Sequence, residues 1–521
     1  MFMSATEYRE SLRRLAPRVF INGRRVESVA DDPELAPGVA AIGLSYDYAL
    51  DRGLADRMVA TQRSSGQAVN RMLHVPDSGE DLLKKLEAVR LLCRATGCAQ
   101  RYLMGDAFSA LHQATHRMDA ELGTDSHPRF LEYLHHAQGD DRAVAIAMTD
   151  AKGDRSLRPH AQAHRDAYVH IAERRRDGIV ISGTKAIVTS APYVHELLLM
   201  PCRAMTEADA DFAVCCAVPV DAEGVTMASR PAGRPGQPAA KFSAHYGQAV
   251  AAVMFDRVFV PWERVFLAGE WRYSGFLTTA YATHHRHSCI AARAGFGDLL
   301  IGAGVLMCDA NGLAPGRHHH LRDALVDLIR IVEGFYACGV AASVHCIADA
   351  AGCVMPEPVY ANIGKLLLAT QIYDMHRLAH EVSGGLVVAL PGPGEDHNPE
   401  TAGSLAAVLA GRADVPAQHR MELARLVEDL TASDTAGWYS LISLHGGGSP
   451  EAMKMEIYRN YPLRERAALV QDLLERGVLD EGTPRALNRQ PDRCCAEGCQ
   501  APEPGPAAVP IPLSRHKETS P

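Results

Sequence analysis

The chain has 521 residues, of which 47% are hydrophobic and 22% are charged, and its formal net charge is −9. A chain of this length exceeds what one hydrophobic core usually holds, so two or three domains are expected. The acidic balance, with no block of basic residues, excludes a nucleic-acid partner. The first residues are mixed in charge, and no apolar run reaches the roughly 18 to 20 residues of a membrane span. These features predict a soluble, cytoplasmic protein without a membrane partner.

The predicted elements divide the chain into three folded segments and a tail. Residues 1–140 have apolar side chains every three or four positions, which predicts an N-terminal helical domain. Residues 141–272 contain short β-branched or alternating runs between Gly and Pro signals, which predicts a middle β domain of barrel or sandwich type. Residues 273–490 return to the helical period and predict a C-terminal bundle. Residues 491–521 are rich in Pro and predict a flexible tail, which follows a cysteine group of unassigned role: Cys494, Cys495 and Cys499.

The bundle is predicted to begin with an unusual group of histidines. The stretch THHRHSCIAARAGFGDLLIGAG, residues 283–304, places three histidines and a cysteine ahead of an apolar helix. His285 and Cys289 are four residues apart and therefore share one helix face. Three interpretations are open for them: ligands of a metal or cluster, acid–base groups beside a cofactor, or packing. His284 and His287 point elsewhere and are predicted to be surface or supporting groups.

Several motifs occur in an order that is similar to one flavoprotein family. They are MSATEYRESLRRL at the start, MTDAKGDRSLRP (148–159), DGIVISGTKAIVTSAP (177–192), AMTEADADFAV (204–214), HEVSGGLVVALP (380–391) and LHGGGSP (444–450). As a set they resemble the 4-hydroxyphenylacetate 3-hydroxylase and 4-hydroxybutyryl-CoA dehydratase family, and the dehydratase branch more closely. The resemblance covers the chain to about residue 475 and implies an α+β fold of the acyl-CoA dehydrogenase type.

The resemblance also implies a cofactor and an assembly. FAD would lie between the β domain and the bundle of a homotetramer or homodimer. The polar edge of the flavin would contact the turn that follows a strand and the end of the next hairpin. A pair of glycines, often from a neighbouring subunit, would let the protein backbone approach the cofactor closely. The implied cofactor-binding residues are Met148, Thr149, Lys152, Gly153, Asp154, Arg155, Thr189, Ser190, Gly384 and Gly385.

The dehydratase branch holds a [4Fe–4S] cluster with three cysteines and one histidine, and this chain departs from that set. Cys98 and His285 match two of the ligands, but Tyr102 and Ala292 stand where the other two cysteines would be. Alanine has no donor and a phenol is a poor substitute for a thiolate. Ile442 also replaces an acidic residue of the dehydratases. We therefore expect a flavoenzyme without an iron–sulfur cluster and without a metal site.

A relocated cluster is the less favoured alternative. It would use Cys93, Cys98, His285 and Cys289. The second pair shares a helix face, but the five-residue offset of the first pair rotates Cys93 about 140° from Cys98.

The predicted catalytic residues resemble those of the hydroxylase branch. That branch uses reduced FAD, which a separate flavin reductase supplies by diffusion. His285, Arg101 and Tyr102 are the predicted catalytic residues, with His285 as general base or hydrogen-bond donor. Ala145 replaces a histidine of the hydroxylases, so 4-hydroxyphenylacetate itself is not the expected substrate.

The preferred function is a two-component monooxygenase that acts on a small aromatic compound, a heteroatom or an acyl group bound to CoA or a carrier protein. The alternative is an acyl-CoA dehydratase or isomerase resembling 4-hydroxybutyryl-CoA dehydratase/vinylacetyl-CoA isomerase. A flavin-binding relic without activity is disfavoured because the TDAKGDR turn and His285 are retained.

Overall fold

A computed structural model describes residues 2–98 and 100–476 of the chain. The predicted tail and its cysteines Cys494, Cys495 and Cys499 lie outside the described residues. The chain divides into a unit that ends at Tyr461 and a second unit that begins at Pro462, of which only one helix, α15 (Leu463–Arg476), is described. All other elements below belong to the first unit.

The first unit mixes helices and sheets, as the sequence predicted. The helices before the sheets are α1 (Ala5–Arg13), α2 (Ala36–Leu50), α3 (Ala55–Met58), α4 (Gly79–Thr96), α5 (Tyr102–Leu122) and α6 (Ser126–Gly139). The helices after them are α7 (Trp271–Ala310), α8 (His319–Val344), α9 (Pro358–Ser383), α10 (Leu386–Ala389), α11 (Ala402–Val408), α12 (Ala417–Thr431), α13 (Asp434–His445) and α14 (Pro450–Asn460).

Two sheets form the middle of the molecule and two small hairpins lie outside them. The strands are β1 (Val19–Ile21), β2 (Arg24–Arg25), β3 (Val59–Thr61), β4 (Ala68–Asn70), β5 (Val144–Ala147), β6 (Thr149–Asp150), β7 (His170–Arg174), β8 (Gly178–Thr189), β9 (Glu196–Leu199), β10 (Val214–Pro219), β11 (Val225–Ser229), β12 (Val250–Pro261), β13 (Val265–Ala268), β14 (Ile347–Ala348) and β15 (Val354–Met355). The larger sheet has the order β2-β1-β11-β12-β8-β6 with β7 also on β8, and the smaller has the order β13-β10-β9-β5. Side chains of both sheets and of α5 and α6 share one apolar core.

The N-terminal segment contributes to the larger sheet, which the sequence prediction of a helical 1–140 segment did not include. β1 pairs in parallel with β11, with Val19 opposite Met227, and antiparallel with β2. Three residues are too short a run to show a strand period, so only the long-range pairing identifies β1 as a strand.

Helix α7 connects all the apolar cores of the first unit. Its 40 residues span about 60 Å. Tyr273 and Leu277 belong to the core of the sheets, Ala291 and Ala292 to a core with α4, and later turns to the cores of the bundle. By length and composition alone α7 could cross a membrane, but 61% of its most apolar window is buried within the fold. Helix α7 therefore carries His285 and Cys289 at the junction of these cores.

Candidate active site

His285 and Cys289 lie on successive turns of α7 and contact each other. The Nε2 atom of His285 is 3.4 Å from the Sγ atom of Cys289. Both are buried, with 8% and 9% of their surfaces exposed, so a small part of each still meets the outside of the fold. The cofacial arrangement that the four-residue spacing predicted is confirmed.

Helix α5 supplies a carboxylate to the other side of the histidine. The Oδ2 atom of Asp106 is 3.4 Å from Nδ1 of His285, and its Oδ1 atom accepts hydrogen bonds from Lys85 Nζ at 2.6 Å and Ser288 Oγ at 2.7 Å. Asp106 is fully buried. The carboxylate therefore orients the imidazole while a lysine and a hydroxyl fix the carboxylate itself.

Two phenol rings enclose His285. The ring of Tyr281, one turn earlier on α7, stacks on the imidazole with centroids 5.4 Å apart, and the ring of Tyr102 from α5 stacks with centroids 6.0 Å apart. The hydroxyl of Tyr102 is 4.0 Å from Cys289 Sγ. Burial raises the pKa of Tyr102 well above its ordinary value, so this phenol stays protonated and can donate a hydrogen bond.

Charges in the site favour an ionic thiol–imidazole pair. Burial by itself raises the pKa of Cys289, but the charge and hydrogen bond of His285, with help from Lys365 and Arg293, bring it below that of an ordinary thiol. Burial lowers the pKa of His285, yet Cys289 and Asp106 outweigh burial and raise it. The surroundings therefore lower the pKa of the thiol and raise the pKa of the imidazole, which favours the charged form of each group.

Lys365 of α9 adds a buried cation to the same region. Its Nζ donates to the carbonyl of Ser443 at 2.5 Å. Burial lowers the pKa of Lys365 to about 8, and the negative charge on Cys289 opposes that change. The glycine loop after α13 closes this side, since Cβ on Gly447 would lie 3.5 Å from the ring of His285, and its φ of +77° favours glycine.

A hydrogen-bonded chain connects the N-terminal helices to the end of β8. Cys98 Sγ donates to the amide oxygen of Gln248, whose Nε2 donates to Thr189 Oγ1 at 3.1 Å. Ser190 Oγ donates to Gln100, whose amide nitrogen donates to the carbonyl of Gly247 at 2.8 Å. The predicted cofactor residues Thr189 and Ser190 are thus held directly against the segment that precedes Tyr102.

The TDAKGDR turn lies at the same edge of the larger sheet. Thr149 pairs with Ile187 of β8, so it faces the same side of the sheet as Thr189, and Ile187 is 53% exposed there. An uncovered apolar side chain beside two threonines is a surface that a planar, amphipathic group can cover.

The rest of the turn is half-buried at Lys152 and exposed after it, and it has two cations without a carboxylate partner. Lys152 and Gly153 both have positive φ, 73° and 50°. Asp154 and Arg155 are exposed, and the carbonyl of Met148 accepts from Lys185 Nζ at 3.0 Å. Across the described ranges neither Lys152 nor Arg155 has a carboxylate within 4.0 Å. The residues present therefore fit a dinucleotide cofactor with a phosphate group.

Three predicted site residues lie elsewhere. Arg101 is buried and bonded to Asp141 at 2.5 Å, with its guanidinium 3.7 Å from the ring of Tyr46. Gly384 lies beside Asn311 at the far end of α7, 22 residues and about 33 Å along the helix from Cys289, and Gly385 follows it. Within one chain the structure does not bring this glycine pair to the predicted cofactor surface.

The histidines beside His285 are not on the surface, which corrects the sequence prediction. His284 and His287 are each 1% exposed. His287 Nε2 is 2.7 Å from Ser343 Oγ, whereas neither ring nitrogen of His284 has a hydrogen-bond partner. Because α7 is surrounded by other elements, the face opposite His285 is buried as well.

Three members of the alternative cluster set, Cys93, Cys98 and Cys289, lie close enough to Tyr102 for their charges to interact with its phenol, and a relocated cluster stays a prediction. Cys93 lies against Gly295 of α7, six residues and about 9 Å along the helix beyond Cys289, and Cys98 is bonded to Gln248. Among residues 2–98 and 100–476 no group of three or more His, Cys, Asp or Glu side chains is arranged to hold a metal ion.

Sequence reasoning missed Asp106, Tyr281 and Lys365, and it used the Gly447 loop as a family motif without placing it at the site. Two of them had a signal: Tyr102 and Asp106 are four apart on one helix, and Lys365 is the one charged residue in the apolar stretch PVYANIGKLLLATQIY, residues 358–373. The contact between Asp106 and His285 joins residues 179 apart, and no local pattern reports it.

Comparison with known proteins identifies the family. The model of the 4-hydroxyphenylacetate 3-hydroxylase N terminal region matches residues 4–267, and the model of its C terminal region matches residues 274–475. The chain belongs to the 4-hydroxyphenylacetate 3-hydroxylase family. Its relatives are enzymes, and this chain is an enzyme of the same family.

Three similar proteins lie in two branches of the 4-hydroxyphenylacetate 3-hydroxylase family. The 4-hydroxybutyryl-CoA dehydratase/vinylacetyl-CoA-Delta-isomerase of Clostridium aminobutyricum is 35% identical over 90% of this chain and 99% of its own. An oxygen-tolerant archaeal 4-hydroxybutyryl-CoA dehydratase from N. maritimus superimposes with a TM-score of 0.87 at 33% identity, over 91% and 95% of the chains. The oxygenase component of 4-hydroxyphenylacetate 3-monooxygenase in complex with FAD superimposes with a TM-score of 0.80 at 20% identity, over 91% and 99%, which shows a common fold.

Proposed function

We propose that the protein is an FAD-dependent two-component monooxygenase. It would transfer one oxygen atom of O2 to a small aromatic compound, a heteroatom or an acyl group bound to CoA or a carrier protein. Family membership and the FAD complex of an oxygenase with the same fold support this proposal. Reduced FAD would be supplied by a separate flavin reductase that reaches the protein by diffusion.

The proposed cofactor surface is the edge of the larger sheet described above. Thr149, Thr189 and Ser190 would contact the ring system, and Lys152 and Arg155 would pair with phosphate charges. When bound, reduced FAD supplies the electrons that activate O2. Gly384 and Gly385 would reach a cofactor only from a second subunit, which is consistent with a homotetramer or homodimer.

Exposed apolar side chains on the bundle support such an association. They lie on α8 and α9, where a soluble monomer would leave them in water: Val326, Ile329, Val344 and Tyr373. We propose a cytoplasmic homo-oligomer whose subunits meet through this surface.

The observation behind the proposal is the donor set around Tyr102, which follows the segment that is hydrogen-bonded to Ser190. A phenol, Tyr102, faces a thiol and an imidazole that are bonded to each other, and Ala292 offers no donor. This set suits proton transfer and hydrogen bonding to a substrate oxygen better than iron coordination. Arg101 is left out of the proposed machinery because its guanidinium is occupied by Asp141.

The residues of the site have distinct proposed roles. His285 holds a proton on its imidazole and can give it to a substrate oxygen. Tyr102 donates a hydrogen bond, and Asp106 keeps the imidazole oriented. The rings of Tyr281 and Tyr102 stack beside the imidazole and limit the access of water to His285.

The second candidate is the dehydratase or isomerase activity of the relative that is 35% identical. In that reaction His285 would remove a proton next to a thioester carbonyl. A spectrum of anaerobically purified protein separates the two: flavin bands alone are expected here, and the broad visible absorbance of an iron–sulfur cluster would favour the dehydratase.

The decisive experiment is turnover with isotopically labelled O2. The protein is combined with a flavin reductase, NADH and a panel of phenols and acyl thioesters, and products are analysed by mass spectrometry. One labelled oxygen atom is expected in the product. His285→Gln should lower product formation at least about 100-fold with flavin binding retained, and the exposed His319→Gln should not. Products without label would contradict the proposal.

A further inference from the structure

Asp209 is a buried carboxylate that joins two loops near the TDAKGDR turn. Its Oδ2 atom accepts hydrogen bonds from Nε of Arg158 at 2.8 Å and from Oγ1 and the backbone N–H of Thr206 at 2.7 Å and 3.0 Å. Its Oδ1 atom accepts from Nδ1 of His160 at 2.6 Å and from the backbone N–H of the same residue at 3.2 Å. Because Asp209 is 0% exposed, water does not compete for these bonds. The segment that follows the turn is therefore fixed to the loop that precedes β10.

Gln162 braces the cation loop, residues 151–162, from within. Its amide oxygen accepts from the backbone N–H of Asp154 at 3.0 Å, and its amide nitrogen donates to the carbonyl oxygens of Asp154 at 2.7 Å and of Leu157 at 3.3 Å. A Cβ atom on Gly153 would overlap the same amide oxygen. An amide side chain that satisfies backbone groups in this way holds the shape of a loop whose backbone would otherwise bond to water.

The cation loop presents two of its cations and engages a third. Lys152 and Arg155 are the two cations without a carboxylate partner in the described ranges. Arg158, in contrast, is held by Asp209 and by a backbone carbonyl. The backbone N–H of Lys152 donates to the carbonyl of Ala167 at 3.1 Å, so the loop is also fixed where its first cation begins. Two available cations therefore project from an ordered backbone.

We propose that Asp209 and Gln162 are positioning residues, which hold the two available cations of the cation loop in place for the diphosphate group of FAD. The consequence is selection of FAD over riboflavin, which has the same ring system and no phosphate. This inference rests on the proposed function for the place at which the cofactor binds. It adds the two residues that order the phosphate site without contacting the cofactor themselves.

The physical reason is preorganisation. Charge-assisted contacts with phosphate oxygens strengthen binding, but ordering an exposed loop costs conformational entropy. When Asp209 and Gln162 have already ordered the loop, that cost does not fall on the ligand. The ring system would instead lie on Thr149 and Thr189, which belong to the ladder of the larger sheet and do not depend on these bonds.

The test compares the binding of FAD and riboflavin to the purified protein after removal of any bound flavin, without NADH, reductase or substrate. Isothermal titration calorimetry measures both dissociation constants. The wild type should bind FAD about 100-fold more tightly than riboflavin. Asp209→Asn and Gln162→Ala should each weaken FAD binding about 10-fold and leave riboflavin binding within about 2-fold. Equal losses for both flavins, or no loss for either, would overturn the inference.

Control variants separate positioning from a general loss of structure. Asp211→Asn removes a half-exposed carboxylate of the same loop, which pairs with Arg165 at 3.0 Å, and should leave FAD binding unchanged. Arg155→Met should weaken FAD binding about 10-fold by itself. In that background Gln162→Ala should have a smaller effect than in the wild type, because it acts through the cation, and additive effects would contradict a positioning role. Gln162→Ala keeps the test decisive if Asp209→Asn does not fold.

The two proposals fail separately. FAD binding with these preferences but without labelled oxygen in any product would retain the positioning residues and reject the monooxygenase. Labelled product from a protein that binds FAD and riboflavin equally would do the reverse.

Discussion

Arg101 and Tyr102 are neighbours in sequence, but their side chains reach different parts of the molecule. Consecutive residues at the start of a helix point about 100° apart. Tyr102 therefore faces Cys289, whereas Arg101 faces Asp141 and the ring of Tyr46. The sequence marked both as candidates because phenol and guanidinium are suitable groups for a phenolic substrate. It could not show that a carboxylate 40 residues away already occupies the guanidinium.

The buried pair of Arg101 and Asp141 predicts a large effect on stability. Both side chains are about 1% exposed, so removing the cation leaves a buried, uncompensated carboxylate. Arg101→Met should lower the free energy of unfolding by about 3–5 kcal/mol, measured by urea denaturation. The double variant Arg101→Met/Asp141→Leu should recover most of that loss, and a double variant no more stable than the single one would contradict the expectation.

At the scale of elements, α7 determines the site because it contributes side chains to every apolar core. The sequence predicted its helical period and the shared face of His285 and Cys289. It did not predict which neighbours meet that face, since those come from α4, α5, α9 and the loop after α13. Two glycines of α7 show why the sequence does not reveal these contacts. Gly295 and Gly302 have similar apolar neighbours in sequence, but only Gly295 lies close to another helix.

These two glycines form a matched pair for mutation. A Cβ atom on Gly295 would lie 2.7 Å from Cys93 Cβ and 3.0 Å from the backbone of Arg94, whereas Gly302 is exposed with nothing within 4 Å. Gly295→Ala should destabilise the protein by about 1–3 kcal/mol because the helices must separate. Gly302→Ala should stabilise it by up to about 1 kcal/mol. Thermal unfolding monitored by circular dichroism measures both, and equal effects would contradict the packing.

For the whole molecule, buried histidines make the free energy of unfolding depend on pH. Burial lowers the pKa of five of them, to about 3 for His112 and His284 and to about 4 for His195, His287 and His376. In the unfolded chain a histidine titrates near 6.5. Their contribution to stability is therefore complete above that pH and is lost as the pH falls toward 4.

The free energy of unfolding is expected to fall between pH 7 and pH 5. Each histidine that stays neutral in the folded state lowers the free energy of unfolding by about 2 kcal/mol at pH 5. Urea denaturation at both pH values measures the loss. His284→Leu, which removes a ring without hydrogen-bond partners, should reduce the loss, and the exposed His319→Gln should not. Equal stability of the wild type at pH 5 and pH 7 would contradict the expectation. The pKa of His285 is raised in the folded state, so its contribution to stability is present at low pH and is lost as the pH rises above neutral.

Strand β1 is synthesised long before β11, the strand with which it pairs in parallel. Val19 leaves the ribosome long before Met227, its partner, so at about 5–20 residues per second strand β1 waits on the order of 10 to 40 s. During that interval its hydrogen-bonding edge is available to other nascent chains. Expression at low temperature or with a holdase chaperone should therefore raise the yield of folded protein more than extra copies of the gene.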